Sequence, residues 1–204
     1  VSAASDTPEG TSVTFEINMI ADHGISGTDD FIAVIGLKSI LIIDLANSNS
    51  TSSIESCLDM LQVERDVVID WSADINNYQS VFVLLGIYPD NYVLENAEGD
   101  LLATYLENGG RIYMEGGDTW AYDNQTSVHE LFNIEGIADG AGDLGTIVGE
   151  SGSIMHSFEF EYNGINSYID QIAPKSNSLL IFKNTEPRYS DTTGGSSPFL
   201  TAAL

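Results

Sequence analysis

The chain has 204 residues and a formal charge of −25, from 31 acidic and 6 basic side chains. Such a surface repels phosphate backbones and anionic headgroups, which argues against nucleic-acid binding and against membrane insertion or surface binding, and leaves cations as its natural partners. Hydrophobic residues at 43% exclude wholesale disorder, and a single cysteine excludes both an intramolecular disulfide and a thiolate zinc site.

Residues 1–36 read as two strands. Val13, Phe15, Ile17 and Met19 alternate with Thr14, Glu16 and Asn18, the period of a half-buried strand. A turn rich in Gly and Asp over 22–30 then leads to a second strand at Phe31–Ile35. Two strands do not cover their own apolar face, so this pair is expected to complete a larger β-sandwich-type sheet or to pack on the remaining residues, 37–204. The opening at Val1, without a methionine, leads us to expect a processed or excised fragment of a larger protein.

From Ser39 strands and helices alternate, which predicts an α/β domain with a mostly parallel sheet. Ile40–Leu45 is an apolar run suited to a strand buried on both faces, and it is too short to span a bilayer. Asn47–Ser53 offers a helix cap, with Ile54, Cys57, Leu58 and Leu61 on one helical face. On that pattern Cys57 is a core residue. Further strands are expected at Asp66–Trp71, Val81–Gly86 and Arg111–Glu115, with a helix at Glu98–Asn108 stopped by Gly109-Gly110. Val128–Phe132 suggests a short helix, residues 136–153 read as a Gly-rich loop, and Ser157–Tyr162 alternates again. No closing element is visible in the last fifteen residues.

The run NNYQSVFVLLGIYPDNYVLENAEGDLLATYLENGGRIYMEGGD, from Asn76 to Asp118, resembles the class I glutamine amidotransferase-like modules of large secreted Bacteroidetes-type proteins. SGSIMHSFEFEYNG and NSYIDQIAP are similar to the later half of such modules, and SDTPEGTSVTFEINM with DDFIAVIG to the last strands of a preceding sandwich. The resemblance implies a flavodoxin-like sheet with flanking helices, export by the type IX route, and an extracellular or cell-surface location. It also implies that the module continues past Leu204. An amidotransferase would carry a nucleophilic cysteine on the turn after the central strand, with a histidine to activate it. The corresponding turn is Glu115-Gly116-Gly117-Asp118-Thr119, without cysteine. His23, His129 and His156 are isolated, and are expected to be ordinary surface or half-buried histidines. Gly149-Glu150-Ser151-Gly152 is no nucleophile elbow, having no strand predicted before it.

Two ligand chemistries stay open. Asp44 ends the first parallel strand, Asp70 the second, and Asp118 follows the fourth, with Asp123 close behind. Ligands of doubly wound sheets gather at such carboxyl ends, and clustered carboxylates are relieved by a divalent ion, Ca2+ being the one that suits all-oxygen donors. The Gly140–Gly145 stretch, with Asp139 before it and Asp143 within it, offers further candidate ligands. The alternative is that these aspartates are caps and turn residues. Tyr88, Tyr92, Trp120 and Tyr122 lie near strand ends, where rings stack on a sugar or a partner; the alternative is that Trp120 and Tyr122 cover the sheet. Asp191-Thr192-Thr193 is similar to a Bacteroidetes O-glycosylation pattern.

The functional expectation is a non-catalytic structural or interaction module of a secreted protein, of the adhesin, stalk or filament type. Its partners would be neighbouring domains or copies of the same protein, joined by β-strand addition. The alternatives are an accessory domain beside an extracellular peptidase or other hydrolase, a divalent-cation- or glycan-binding module, and an unorthodox hydrolase using Asp118 or Glu115.

Overall fold

The computed structural model describes residues 7, 11–21, 25–142, 144–164, 166, 168–176, 178–185 and 199–201. It is a mixed α/β structure with three sheets. Asp143, His23 and Asp191-Thr192-Thr193 lie outside the described residues.

Strands β1 (Thr11–Ala21) and β2 (Ile25–Ile35) pair antiparallel along their whole length, from Thr11 opposite Ile35 to Ala21 opposite Ile25. The second strand therefore begins at Ile25 rather than Phe31, because pairing with β1 holds the polar 26–30 stretch extended. The expected half-buried face is only partly covered: Val13 and Phe15 are intermediate and Ile17 is 46% exposed. Glu16 sits opposite Asp30, a like-charge pair that weakens the hairpin.

The second sheet is parallel, in the order β4-β3-β5-β6, formed by β3 (Lys38–Asp44), β4 (Arg65–Val68), β5 (Tyr78–Leu84) and β6 (Arg111–Glu115). As its apolar run predicted, β3 is buried on both faces. Leu41 and Ile43 join Val81, Val83, Leu102 and Tyr105 on one side, and Ile42 joins Leu84 and Leu58 on the other. Helices α1 (Ser50–Leu61) and α2 (Asn96–Glu107) supply Leu58 and Leu102. At the amino end Asp66 of β4 accepts from Lys38 Nζ and from the Tyr78 hydroxyl, each at 2.6 Å, which ties three strands in register.

Local details depart from expectation for physical reasons. Helix α1 starts inside the polar stretch and Asn49 makes no capping bond; Ser48 Oγ accepts from Ser50 N, while Asp44 at the end of β3 accepts from Ser48 N and the Thr51 hydroxyl. Cys57 is exposed, not core, since the buried stripe of α1 narrows to Ile54 and Leu58. Strand β4 stops at Val68, and Asp70 accepts from Ser72 N in the turn that follows. Helix α2 begins with a reciprocal Glu95–Glu98 capping box and ends where Gly109, at φ +88°, turns the chain.

After α3 (Ser127–Leu131) comes a six-stranded antiparallel sheet where a loop and an open end were expected. Its order is β7-β10-β12-β11-β8-β9, from β7 (Ile134–Ala138), β8 (Thr146–Gly149), β9 (Glu159–Glu161), β10 (Gln171–Pro174), β11 (Leu180–Asn184) and β12 (Phe199–Thr201). Glycines that suggested a loop instead permit close packing of backbones. A Cβ at Gly136 would lie 2.0 Å from the Trp120 carbonyl oxygen, and one at Gly140 2.1 Å from that of Ile169. A small apolar cluster of Trp120, Ile134 and Ile172, with Met114 of β6 against it, joins the second half of the chain to the parallel sheet.

Candidate functional site

The carboxyl end of β6 runs into the turn Gly116-Gly117-Asp118. Backbone bonds extend the sheet to this point: Leu85 N donates to Glu115 O and Gly117 N to Gly86 O. Asp170 N then donates to Gly117 O at 2.7 Å, so the segment entering β10 lies beside the turn. The Asp170 carboxylate closes the clamp. Its Oδ2 accepts from Trp120 N and Ala121 N, each at 2.7 Å, and its Oδ1 from Tyr122 N at 3.2 Å. Gly140, packed on the Ile169 backbone, brings the preceding Asp139 to the same place.

The result is a cup of three carboxylates. Asp118, Asp139 and Asp170 each offer an oxygen, and these oxygens lie within 4.8 Å of one another. Asp118 is 6% and Asp170 8% exposed, whereas Asp139 opens to solvent. Asp170 accepts from three backbone donors, yet burial still pushes its carboxyl upward, assisted by the charge of Asp139. Asp118 differs: among the described residues no hydrogen bond reaches its carboxylate. Burial, then the charges of Asp170, Asp123 and Asp139, raise its pKa from 3.8 to about 6.

Beside the cup runs a groove of about 600 Å3, lined by Tyr88, Asp118, Tyr122, Asp139, Asn166 and Tyr168 together with Pro89. The three tyrosines are 63%, 68% and 58% exposed. Asn166 braces the wall: its Oδ1 accepts from Tyr168 N and its backbone carbonyl from the Tyr162 hydroxyl.

The sequence-derived candidates separate clearly. Asp118 and Asp139 come together, and Asp123 lies alongside, its N–H donating to Asp118 O and its carboxylate accepting from Asn91 Nδ2. Asp44 does not join them. Its two oxygens hold Ser48 N, Ala46 N and the Thr51 hydroxyl, which shapes the loop into α1. Tyr88 and Tyr122 face the groove, but Trp120 is buried edge-on to His129 and Phe132, and Tyr92 donates to Glu98 from the core edge. Asp170, Tyr168 and Asn166 escaped the sequence reading; the one local signal was an aspartate placed directly before the apolar residues of β10.

Of the other candidate catalytic groups, His129 and Glu115 have structural partners. His129 is buried rather than superficial. Its Nδ1 accepts from Thr126 N at 2.9 Å, which leaves the proton on Nε2, 3.0 Å from the Thr119 hydroxyl. Burial lowers its pKa. His156 is exposed. Glu115 accepts from the Tyr113 hydroxyl at 2.7 Å and from Ser48. Strand β8 does lead into Gly149-Glu150-Ser151, contrary to expectation, but a succession of turns rather than a helix follows it.

No protein-family model and no curated protein matches the chain. Among solved structures, an exo-β-1,4-mannosidase from Opitutaceae bacterium strain TAV5 is similar at 12% identity with a TM-score of 0.48. The alignment covers 75% of this chain and 28% of that one.

Proposed function

We propose that the chain is a non-catalytic binding module of a larger secreted or cell-surface protein, and that its ligand surface is the groove of Tyr88, Tyr122 and Tyr168. The observation that carries this reading is the convergence of three exposed phenol rings with carboxylate and amide acceptors on one groove. Flat rings cover the C–H faces of a sugar while Asp139 and Asn166 accept from its hydroxyls, so a neutral glycan is the ligand class that fits. The acidic surface disfavours anionic ligands. The strand order β4-β3-β5-β6, with a helix in each of two crossovers, supports an amidotransferase-like module of flavodoxin-like type. At its nucleophile turn stands Gly116-Gly117-Asp118, which supports binding rather than acyl transfer.

Affinity electrophoresis and calorimetry against neutral polysaccharides and oligosaccharides test the proposal. Retardation by at least one glycan is expected, with affinity falling about tenfold or more in Tyr88→Ala and Tyr122→Ala at unchanged melting temperature. Absence of binding across the panel, or release of reducing ends by the chain, would sink it.

A second reading, strand addition by a neighbouring copy, is favoured by the hairpin. β1 and β2 make a sheet of two strands, a size that is marginal in water. Sedimentation velocity should then show concentration-dependent association that Ile17→Pro abolishes. A monomer at every concentration refutes it.

A further inference from the structure

We propose that Asp118, Asp139 and Asp170 form a binding site for one Ca2+ ion at the junction of the parallel and antiparallel sheets. The first observation is geometric. Two oxygens on opposite sides of a calcium ion are separated by about twice the 2.3–2.6 Å bond length, and the three carboxylates here lie within 4.8 Å of one another. The second concerns Asp118 alone. The residue is 94% removed from solvent and lines the groove beside the cup, yet among the described residues no donor serves its carboxylate as donors serve those of Asp170 and Asp44. Among the described residues the ion pairs engage Lys38, Arg65 and Lys183 with other acids, and none reaches Asp118, Asp139 or Asp170.

A divalent cation supplies what the protein does not. It would take one oxygen from Asp118 and one from Asp139, and use a remaining lone pair of Asp170, whose orientation the three backbone donors fix in advance. Exposed Asp139 gives the ion its entry path. All donors are hard oxygens, which disfavours zinc and copper, and an irregular set of three carboxylates suits the flexible coordination of calcium better than the strict octahedron of magnesium. The proposal does not depend on what the tyrosine groove binds.

The test is a titration of the full chain with CaCl2 at fixed ionic strength, by calorimetry and by tyrosine-sensitised Tb3+ emission displaced by Ca2+. One ion per chain with Kd on the order of 10⁻⁴ M is expected, the range of extracellular calcium modules. Asp139→Asn and Asp118→Asn should each weaken binding at least about tenfold, whereas Asp29→Asn, on the exposed hairpin, should leave it unchanged. Asp118→Asn should melt in EDTA at or above the wild-type temperature, which separates lost binding from lost folding. No saturable binding, equal binding in all three variants, or Mg2+ competing on equal terms would each overturn the proposal.

Discussion

The two larger sheets of this molecule are built by different means. In the parallel sheet, Leu41, Ile42, Val81, Val83 and Leu84 are wholly buried and helices cover both faces. The antiparallel sheet has strands of three to five residues, a few buried side chains such as Ile134, Ile147 and Ile172, and exposed Phe158, Phe160 and Ile137. Apolar burial defines the first; close backbone contact at Gly136, Gly140 and Gly149 shapes the second. Stability is therefore concentrated in the parallel sheet, and the candidate site lies where the better-packed half meets the looser one.

The sharpest way to break that contrast is a pair of truncations. Leu41→Ala should cost about 2–5 kcal/mol in urea unfolding, as full burial in a two-sided core demands. Phe160→Ala, at a site 46% exposed, should cost less than about 1 kcal/mol. Comparable losses would mean that the antiparallel sheet carries a core of its own.

Next in size is the joint between the halves. Asp170→Ala removes the acceptor of three backbone N–H groups and should destabilise by about 2–4 kcal/mol. Asp170→Asn should recover part of that, since its amide oxygen still accepts. A neutral Asp170→Ala would show that the clamp on residues 120–122 is dispensable.

Two buried groups give opposite pH dependences. Asp118 has a raised folded pKa, so the folded chain takes up a proton before the unfolded chain does. Its contribution is present below about 4 and is lost as pH rises through about 6. Asp118→Asn should therefore stabilise by no more than about 3 kcal/mol at pH 7.5 in EDTA, and by little at pH 4. His129 has a lowered folded pKa, so its contribution is present above the unfolded value of about 6.5 and is lost as pH falls below it. With the Asp118 effect removed, the variant should lose stability on acidification more steeply than the wild type. Parallel stability–pH profiles for the two proteins would refute both assignments.

What was legible in the sequence follows the same division. β3 could be placed because two-sided burial demands an unbroken apolar run, β6 because the pairs Gly109-Gly110 and Gly116-Gly117 bracket it, and the end of α2 because Gly109-Gly110 follows its last apolar residue. β5 begins three residues before Val81, at Tyr78, since Gln79 and Ser80 carry no apolar signal although they sit in the ladder. Strands β7 and β8 were hidden because the glycines that permit their packing are also loop residues. Asp118 and Asp139 could be nominated, but the Asp44 carboxylate is engaged in holding the loop after β3 and Asp170 was missed. No sequence spacing shows that residues 118, 139 and 170 meet, since they are joined by contacts between segments distant in the chain.

Amide hydrogen exchange with and without Ca2+, at constant ionic strength, tests most directly that an ion-dependent junction couples the two sheets. Calcium should slow exchange in residues 118–123, 136–140 and 168–174, while Leu41–Ile43 and Val81–Leu84 stay as protected as before. Unchanged exchange in those three segments, or a uniform change across the chain, would contradict the junction as the site.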